Sequence, residues 1–157
     1  MKKLLIAAPL LILLMLAACS FIGNSDEEQL QLYFLSTADH GPAISSEVYP
    51  YSNIPSPEQL ISALISGPES EELSSPFPRG LSLRGVQLEN GHLVVNFSEQ
   101  YSGLSDVSLT LADYCVTLTL CQLDGVDSVE ITASGLGSNY RSHQILTPEE
   151  AILAAQE

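Results

Sequence analysis

The stretch Ser105-Asp106-Val107-Ser108-Leu109-Thr110-Leu111-Ala112-Asp113-Tyr114-Cys115-Val116-Thr117-Leu118-Thr119-Leu120-Cys121-Gln122-Leu123 carries two periodicities at once. Val116, Leu118 and Leu120 alternate with Thr117, Thr119 and Cys121, the two-residue period of a strand in residues that favour strands. Leu109, Ala112, Val116 and Leu120 also recur at helical spacing, with Cys115 and Leu123 widening the stripe, and Thr110 with Asp113 resembles a capping pair. Periodicity alone does not choose. The choice decides the fold, because the flanking segments are clearer.

After Gly125, Val126 to Ala133 predicts a strand with Val129 and Ile131 on one face. Gly135 to Asn139 then turns the chain, and Thr147-Pro148-Glu149-Glu150 opens a short terminal helix with Ile152 and Leu153 to dock it. Upstream, Leu81, Leu83, Val86 and Leu88 lead into Asn90-Gly91, the dipeptide suited to a two-residue hairpin turn, and Leu93, Val95 and Phe97 return. Gly85 interrupts the first hairpin strand and predicts a bulge. The acidic, proline-bearing segment from Glu69 to Gly80 reads as a loop. Before it, Ser56 with Gln59 forms a capping box, Pro57 occupies the first helical position, and Gly67-Pro68 stops the helix. Leu60, Ile61, Leu64 and Ile65 make its buried stripe. Leu30, Leu32 and Phe34 alternate in a first strand from Gln29, and a weaker second strand runs from Ser46 to Tyr51, with Pro50 marking an edge or an end.

The N-terminus carries an address. Lys2 and Lys3 precede an apolar run from Leu4 to Leu16, and Leu16-Ala17-Ala18-Cys19 closes it with small residues directly before a cysteine. These are the parts of an export signal. The run is shorter than the ~20 residues needed to span a bilayer. A leucine, two small residues and a cysteine are the pattern of a bacterial lipoprotein signal, cut between Ala18 and Cys19, with diacylglycerol on the Cys19 thiol. Two acyl chains hold a protein to a membrane where one holds it only marginally. Ser20 to Glu28, with Gly23, Asn24, Ser25 and three consecutive acids, reads as a solvated spacer.

Cleavage would remove both lysines, leaving Arg79, Arg84 and Arg141 against 19 acids, a formal charge of minus 16. Such a surface repels phosphate backbones and anionic headgroups, which argues against nucleic acid binding and electrostatic docking on membranes. The 139 residues that remain suit one domain with its own core. Cys115 and Cys121 are too far apart for a disulfide in either conformation: six residues span ~20 Å as strand and ~9 Å as helix, against the ~7 Å a disulfide tolerates. Both are expected to be free, buried thiols.

No catalytic constellation is apparent. His40, His92 and His143 stand at no ligand spacing from one another or from a cysteine, and the sequence contains no nucleophile elbow, phosphate loop or dinucleotide fingerprint. Asp124 and Asp127 flanking Gly125 make a turn with too few oxygens for a calcium site. Glu69, Glu71 and Glu72 read as a solvated charge run, and Cys115, between Tyr114 and Val116, as a core residue rather than a nucleophile. The expectation is no catalytic residue, no metal and no cofactor.

From about Gln29 to Gly135 the chain resembles a GerMN domain, the module of sporulation and spore germination lipoproteins. The resemblance lies in Tyr33-Phe34, Leu64-Ile65-Ser66-Gly67-Pro68, Pro78-Arg79-Gly80, Val94-Val95-Asn96-Phe97-Ser98 after Asn90-Gly91, and the run from Thr117-Leu118-Thr119-Leu120 to Gly125-Val126-Asp127-Ser128-Val129. It departs in having one copy where the best-known members have two, and in Asn96 where Asp is common. The resemblance implies a helix over Thr110 to Leu120 and a small two-layer α+β sandwich, with two helices on one face of a mostly antiparallel sheet, similar to ring-building modules. The expected organisation is a lipoprotein signal peptide (1–18), a lipidated acidic tether (19–28), the GerMN-like domain (29–135) and a C-terminal tail with a short helix (136–157). Membership implies a non-catalytic protein held by lipid on the outer face of the cell membrane. It would meet envelope or sporulation proteins and, by the ring analogy, copies of itself. A surface-anchored hydrolase and a small-ligand-binding lipoprotein are the alternatives.

Overall fold

The computed structural model describes residues 29–39, 43–134 and 145–155, with side chains as far as Ala151. The expected signal and tether, His40, His143 and the turn expected at Gly135 to Asn139 lie outside the described residues, as do the Ile152 and Leu153 side chains. Strands β1 (Gln31–Ser36), β2 (Ile44–Val48) and β3 (Leu73–Ser74) form one antiparallel sheet in the order β2-β1-β3. Strands β4 (Leu83–Glu89), β5 (His92–Phe97), β6 (Ser128–Ala133) and β7 (Ile145–Leu146) form a second in the order β4-β5-β6-β7. All its pairs are antiparallel except β5 with β6. Helices α1 (Pro57–Ser66), α2 (Asp106–Leu120) and α3 (Pro148–Ala155) complete an α+β fold, with a 3-10 turn at Glu99–Gly103.

The stretch with two periodicities is therefore helix, and the topology requires it. Parallel neighbours cannot be joined by a tight turn, so the path from β5 to β6 needs a crossover, which α2 supplies. The structure also explains why α2 looks like a strand. Its buried residues run Leu109, Ala112, Asp113 and then without a break from Cys115 to Leu120, because β1, β6, α1 and α3 all pack around it. Covered on most sides, it has no polar face for a helical period to show.

The alternating polar residues have partners. Thr119 Oγ1 accepts the Tyr33 N–H at 3.1 Å, and the Gln122 amide accepts the Gln31 N–H at 2.9 Å while donating to the Gln31 carbonyl at 2.8 Å. These side chains complete the edge of β1 beyond the short β3, where another strand would otherwise pair. That is how one expected sheet becomes two.

The helix starts confirm one cap and correct another. At α1, Ser56 Oγ accepts the Gln59 N–H, Gln59 Oε1 accepts the Ser56 N–H at 2.8 Å, and Gly67 leaves the helix at φ +91°. Leu60, Ile61 and Leu64 are wholly buried and Ile65 partly so, each full burial contributing ~1.5–3 kcal/mol. At α2, Thr110 and Asp113 do not form a cap. Ser108 does that work, its hydroxyl accepting the Ser105 N–H at 3.2 Å. Thr110 donates to the Asp106 carbonyl at 3.1 Å, inside the helix.

The hairpin forms at Asn90-Gly91, both residues in the left-handed region at φ +52° and +82°, and its register slips between Leu83 and Gly85 as a bulge. Gly91 is needed twice, because a Cβ there would also meet the Asp127 carboxylate. The second strand is Ile44–Val48 rather than Ser46 to Tyr51, leaving Pro50 beyond its end. The segment read wholly as loop contains β3, a two-residue strand that exists only through its pairing with Leu35 and Ser36. Most of the core lies between the β5–β6 face and the helices: Leu93, Val95, Phe97 and Val129 against Leu60, Ile61, Val116 and Leu120.

Candidate functional site

Ala18 and Cys19, the residues expected to carry cleavage and lipidation, lie outside the described residues. Cys115 and Cys121 are both free. Cys115 is fully buried, and loss of water pushes its thiol up to about 12. Cys121 is only partly buried, a correction to the expectation for both. Burial first, then the charges of Glu149 and Asp127, raise it to about 11. Since the thiolate is the nucleophile, neither is reactive near neutrality. Among the described residues no three His, Cys, Asp or Glu side chains gather as a metal site. Asp127 instead packs over Gly91, while the Glu47 carboxylate accepts the Glu69 and Ser70 N–H groups at 3.0 Å and ties down the start of the acidic loop.

Two polar arrangements escaped the sequence. His92 lies opposite Ser128 in the parallel β5–β6 register, with Nδ1 3.0 Å from Ser128 Oγ and Nε2 3.1 Å from Glu130 Oε2. A carboxylate accepts only, so Nε2 carries a proton and donates to Glu130, while Nδ1 and the Ser128 hydroxyl share the second hydrogen bond. The residues are 36 and 38 positions apart, and only the parallel pairing brings them together. They share the sheet face opposite the core, because Leu93 and Val95 point inward. Serine, histidine and acid follow the order of a hydrolytic triad, but they lie half-buried on a strand face rather than in the groove described below. Their evident work is to fasten β5 to β6.

The second arrangement is buried. Tyr101 in the 3-10 turn donates its hydroxyl to Asp113 Oδ1 on α2 at 2.6 Å, and Tyr101 has no exposed surface. Burial, and then the charge of Asp113, hold the phenol well above its usual pKa. A charge-assisted bond of this length fixes the turn to the helix.

Among the described residues lies an open groove of about 1030 Å³. It is built from the start of the first strand (Gln29, Leu30), the loop after β2 (Tyr49 to Ser52, and Ile54) and the segment after α2 (Gln122 to Asp124). Three large apolar side chains on it face solvent, Val48 at 50%, Tyr51 at 42% and Ile54 at 76% exposure. The Tyr49 and Tyr51 rings stack with centroids 6.5 Å apart. One sequence signal could have flagged it: Tyr49-Pro50-Tyr51 and Ile54-Pro55 follow Val48, the last residue of β2, as large apolar residues in a proline-broken segment. Chemically the groove offers apolar surface, tyrosine hydroxyls, two amides and one carboxylate.

Among the described residues no helix is long and apolar enough to cross a membrane. Three solved structures share the fold. The tandem GerMN domains of the sporulation protein GerM from Bacillus subtilis align at TM-score 0.57 and 18% identity, over 80% of this chain and 47% of that one. The chain thus spans about half of the tandem structure. The first GerMN domain of the same protein aligns at 0.55 and 18% identity, over 68% of this chain and 83% of that one. A candidate lipoprotein from Clostridium perfringens aligns at 0.50 and 22% identity, over 78% and 88%. No curated protein matches the chain. The family model described as sporulation and spore germination matches residues 31–136, from the first residue of β1 to just beyond β6, and the chain belongs to that Germane family.

Proposed function

We propose that the protein is a non-catalytic, lipid-tethered protein on the extracytoplasmic face of the cell membrane, working through protein contacts in sporulation, spore germination or envelope assembly. The process follows from the family, and the mode of action from one observation: among the described residues β4 is an outer strand of its sheet and carries the exposed apolar side chain of Leu88. An open strand edge with an apolar side chain is a surface with which another chain can pair. The address rests on the sequence, with residues 1–18 as signal peptide and Cys19 as the lipidated first residue of the mature chain. Deletion of the gene, followed by spore counts and germination assays, tests the role; a defect in either is expected, and normal yield with normal germination contradicts it.

Self-association belongs to the same proposal, and light scattering on the purified protein tests it; a strict monomer at high concentration weakens it. One observation favours a hydrolase as the second reading, the Ser128–His92–Glu130 arrangement. The clustered acids Glu69, Glu71 and Glu72, which a hydrolase could otherwise use, do not line the groove. An organophosphonate serine probe distinguishes the readings. The proposal predicts no labelling of Ser128, whereas labelling lost in His92→Ala supports the hydrolase.

A further inference from the structure

Three of the six large apolar side chains exposed among the described residues, Val48, Tyr51 and Ile54, stand on one groove, whose lip is Gln29, the first described residue. From Gln29 the chain runs back to Cys19 through residues 19–28. Ten residues reach at most ~35 Å when fully extended. Any membrane holding Cys19 therefore holds the groove within that distance, and a short tether keeps an attached surface at a near-millimolar effective concentration. Contacts too weak to recruit a free protein can then orient a tethered one.

The chemistry of the rim fits a bilayer interface. Tyrosine places its ring among acyl chains and its hydroxyl among headgroups, and aliphatic side chains beside it add buried area. The lining residues include Asp124 and no lysine or arginine, so nothing in the groove attracts anionic headgroups, and the mature chain's formal charge of minus 16, three arginines against 19 acids, opposes them. The favoured surface is zwitterionic. Val107, also apolar and 70% exposed, lies at the opposite end of α2 from Gln122. A 15-residue helix separates the two ends by ~22 Å.

We propose that the groove rim of Val48, Tyr51 and Ile54 rests on the lipid surface that holds Cys19, so that the domain is oriented with the N-terminus of α2 directed away from the membrane. This rests on lipidation of Cys19 and says which side of the domain the tether turns towards the bilayer.

The chain contains no tryptophan, so one introduced residue reports without background. Full-length protein carrying Ile54→Trp, and separately Val107→Trp, would be purified from membranes and reconstituted in phosphatidylcholine vesicles with brominated acyl chains. The mass of the N-terminal peptide reports lipid on Cys19. Strong quenching at position 54 and none at 107, weakening as phosphatidylglycerol is added, is the expected result. Quenching at neither position, or equally at both, overturns it. So does a blue-shifted emission at 54 that brominated lipid leaves unquenched, since the groove is then covered by protein. If the mass shows no lipid, the tethering premise has failed by itself. Unlipidated protein is expected to show no quenching at either position, because the rim contact is too weak to recruit a free protein; strong quenching at 54 without lipid overturns the part given to the tether.

Discussion

Helices α1 and α2 are the two most instructive regions to compare. Helix α1 buries Leu60, Ile61 and Leu64 and turns Glu58, Gln59, Ser62 and Ser66 to solvent. Helix α2 buries nine of its residues, including Thr117, Thr119 and Asp113. The first sits on the outside of the fold with one dry side, so its sequence spells a helix from cap to stop. The second is the crossover between parallel strands and is enclosed. Its buried polar residues serve β1 and the 3-10 turn, and they spell a strand. A helix is legible where it has water on one face, and it loses its period where the protein surrounds it.

Several substitutions sharpen or break this contrast. The largest loss is expected for Leu120→Ala, fully buried in α2: about 2–5 kcal/mol in a urea titration. A loss under about 1 kcal/mol would mean that α2 is not enclosed. Tyr101→Phe removes the donor to Asp113 and should cost about 1–3 kcal/mol, with a smaller loss when Asp113→Asn is added. If the double variant is no better than Tyr101→Phe alone, the bond does not carry the cost.

The thiol of Cys115 adds a pH dependence. Its pKa is raised to about 12 in the folded state, against ~8.5 in an unfolded chain. The unfolded state therefore loses its proton first, so this contribution is whole below about pH 8.5 and declines as pH rises towards 12, by about 1.4 kcal/mol per pH unit. Cys115→Ala should flatten that alkaline slope in urea midpoints measured from pH 8 to 10; an unchanged slope would assign it to other groups. Smaller effects belong to α1. Ser56→Ala removes the capping side chain and should cost about 1 kcal/mol. Ser62→Gln, on the wet face, should stay within about 0.5 kcal/mol. A comparable loss at Ser62 would erase the difference between the two helices.

Much of the architecture was written locally. Leu30, Leu32 and Phe34 alternate, Ser56 to Gly67 carries its own punctuation, and Asn90-Gly91 dictates a turn that only left-handed backbone can make. These signals act within a dozen residues, where short-range sterics and one buried face suffice. What stayed hidden depends on distance along the chain. Strand β3 is two residues with no propensity of their own, held by β1 from 37 positions away, as in Ser36 with Leu73. The division into two sheets depends on Thr119 and Gln122 reaching β1 some 90 positions away. The groove draws on three separated segments, and His92 meets Ser128 and Glu130 only once a parallel register exists. For α2, the family resemblance supplied what periodicity could not. The proposed anchor at Cys19 is the opposite case, since its signal is contained wholly in local sequence.

Membrane fractionation of cells producing Cys19→Ser tests the central claim, a contact protein held at the membrane by lipid, most directly. The account predicts a domain that folds normally and is either released or left unprocessed with residues 1–18 attached. A variant processed at Ala18 and still fully bound to the membrane would contradict it.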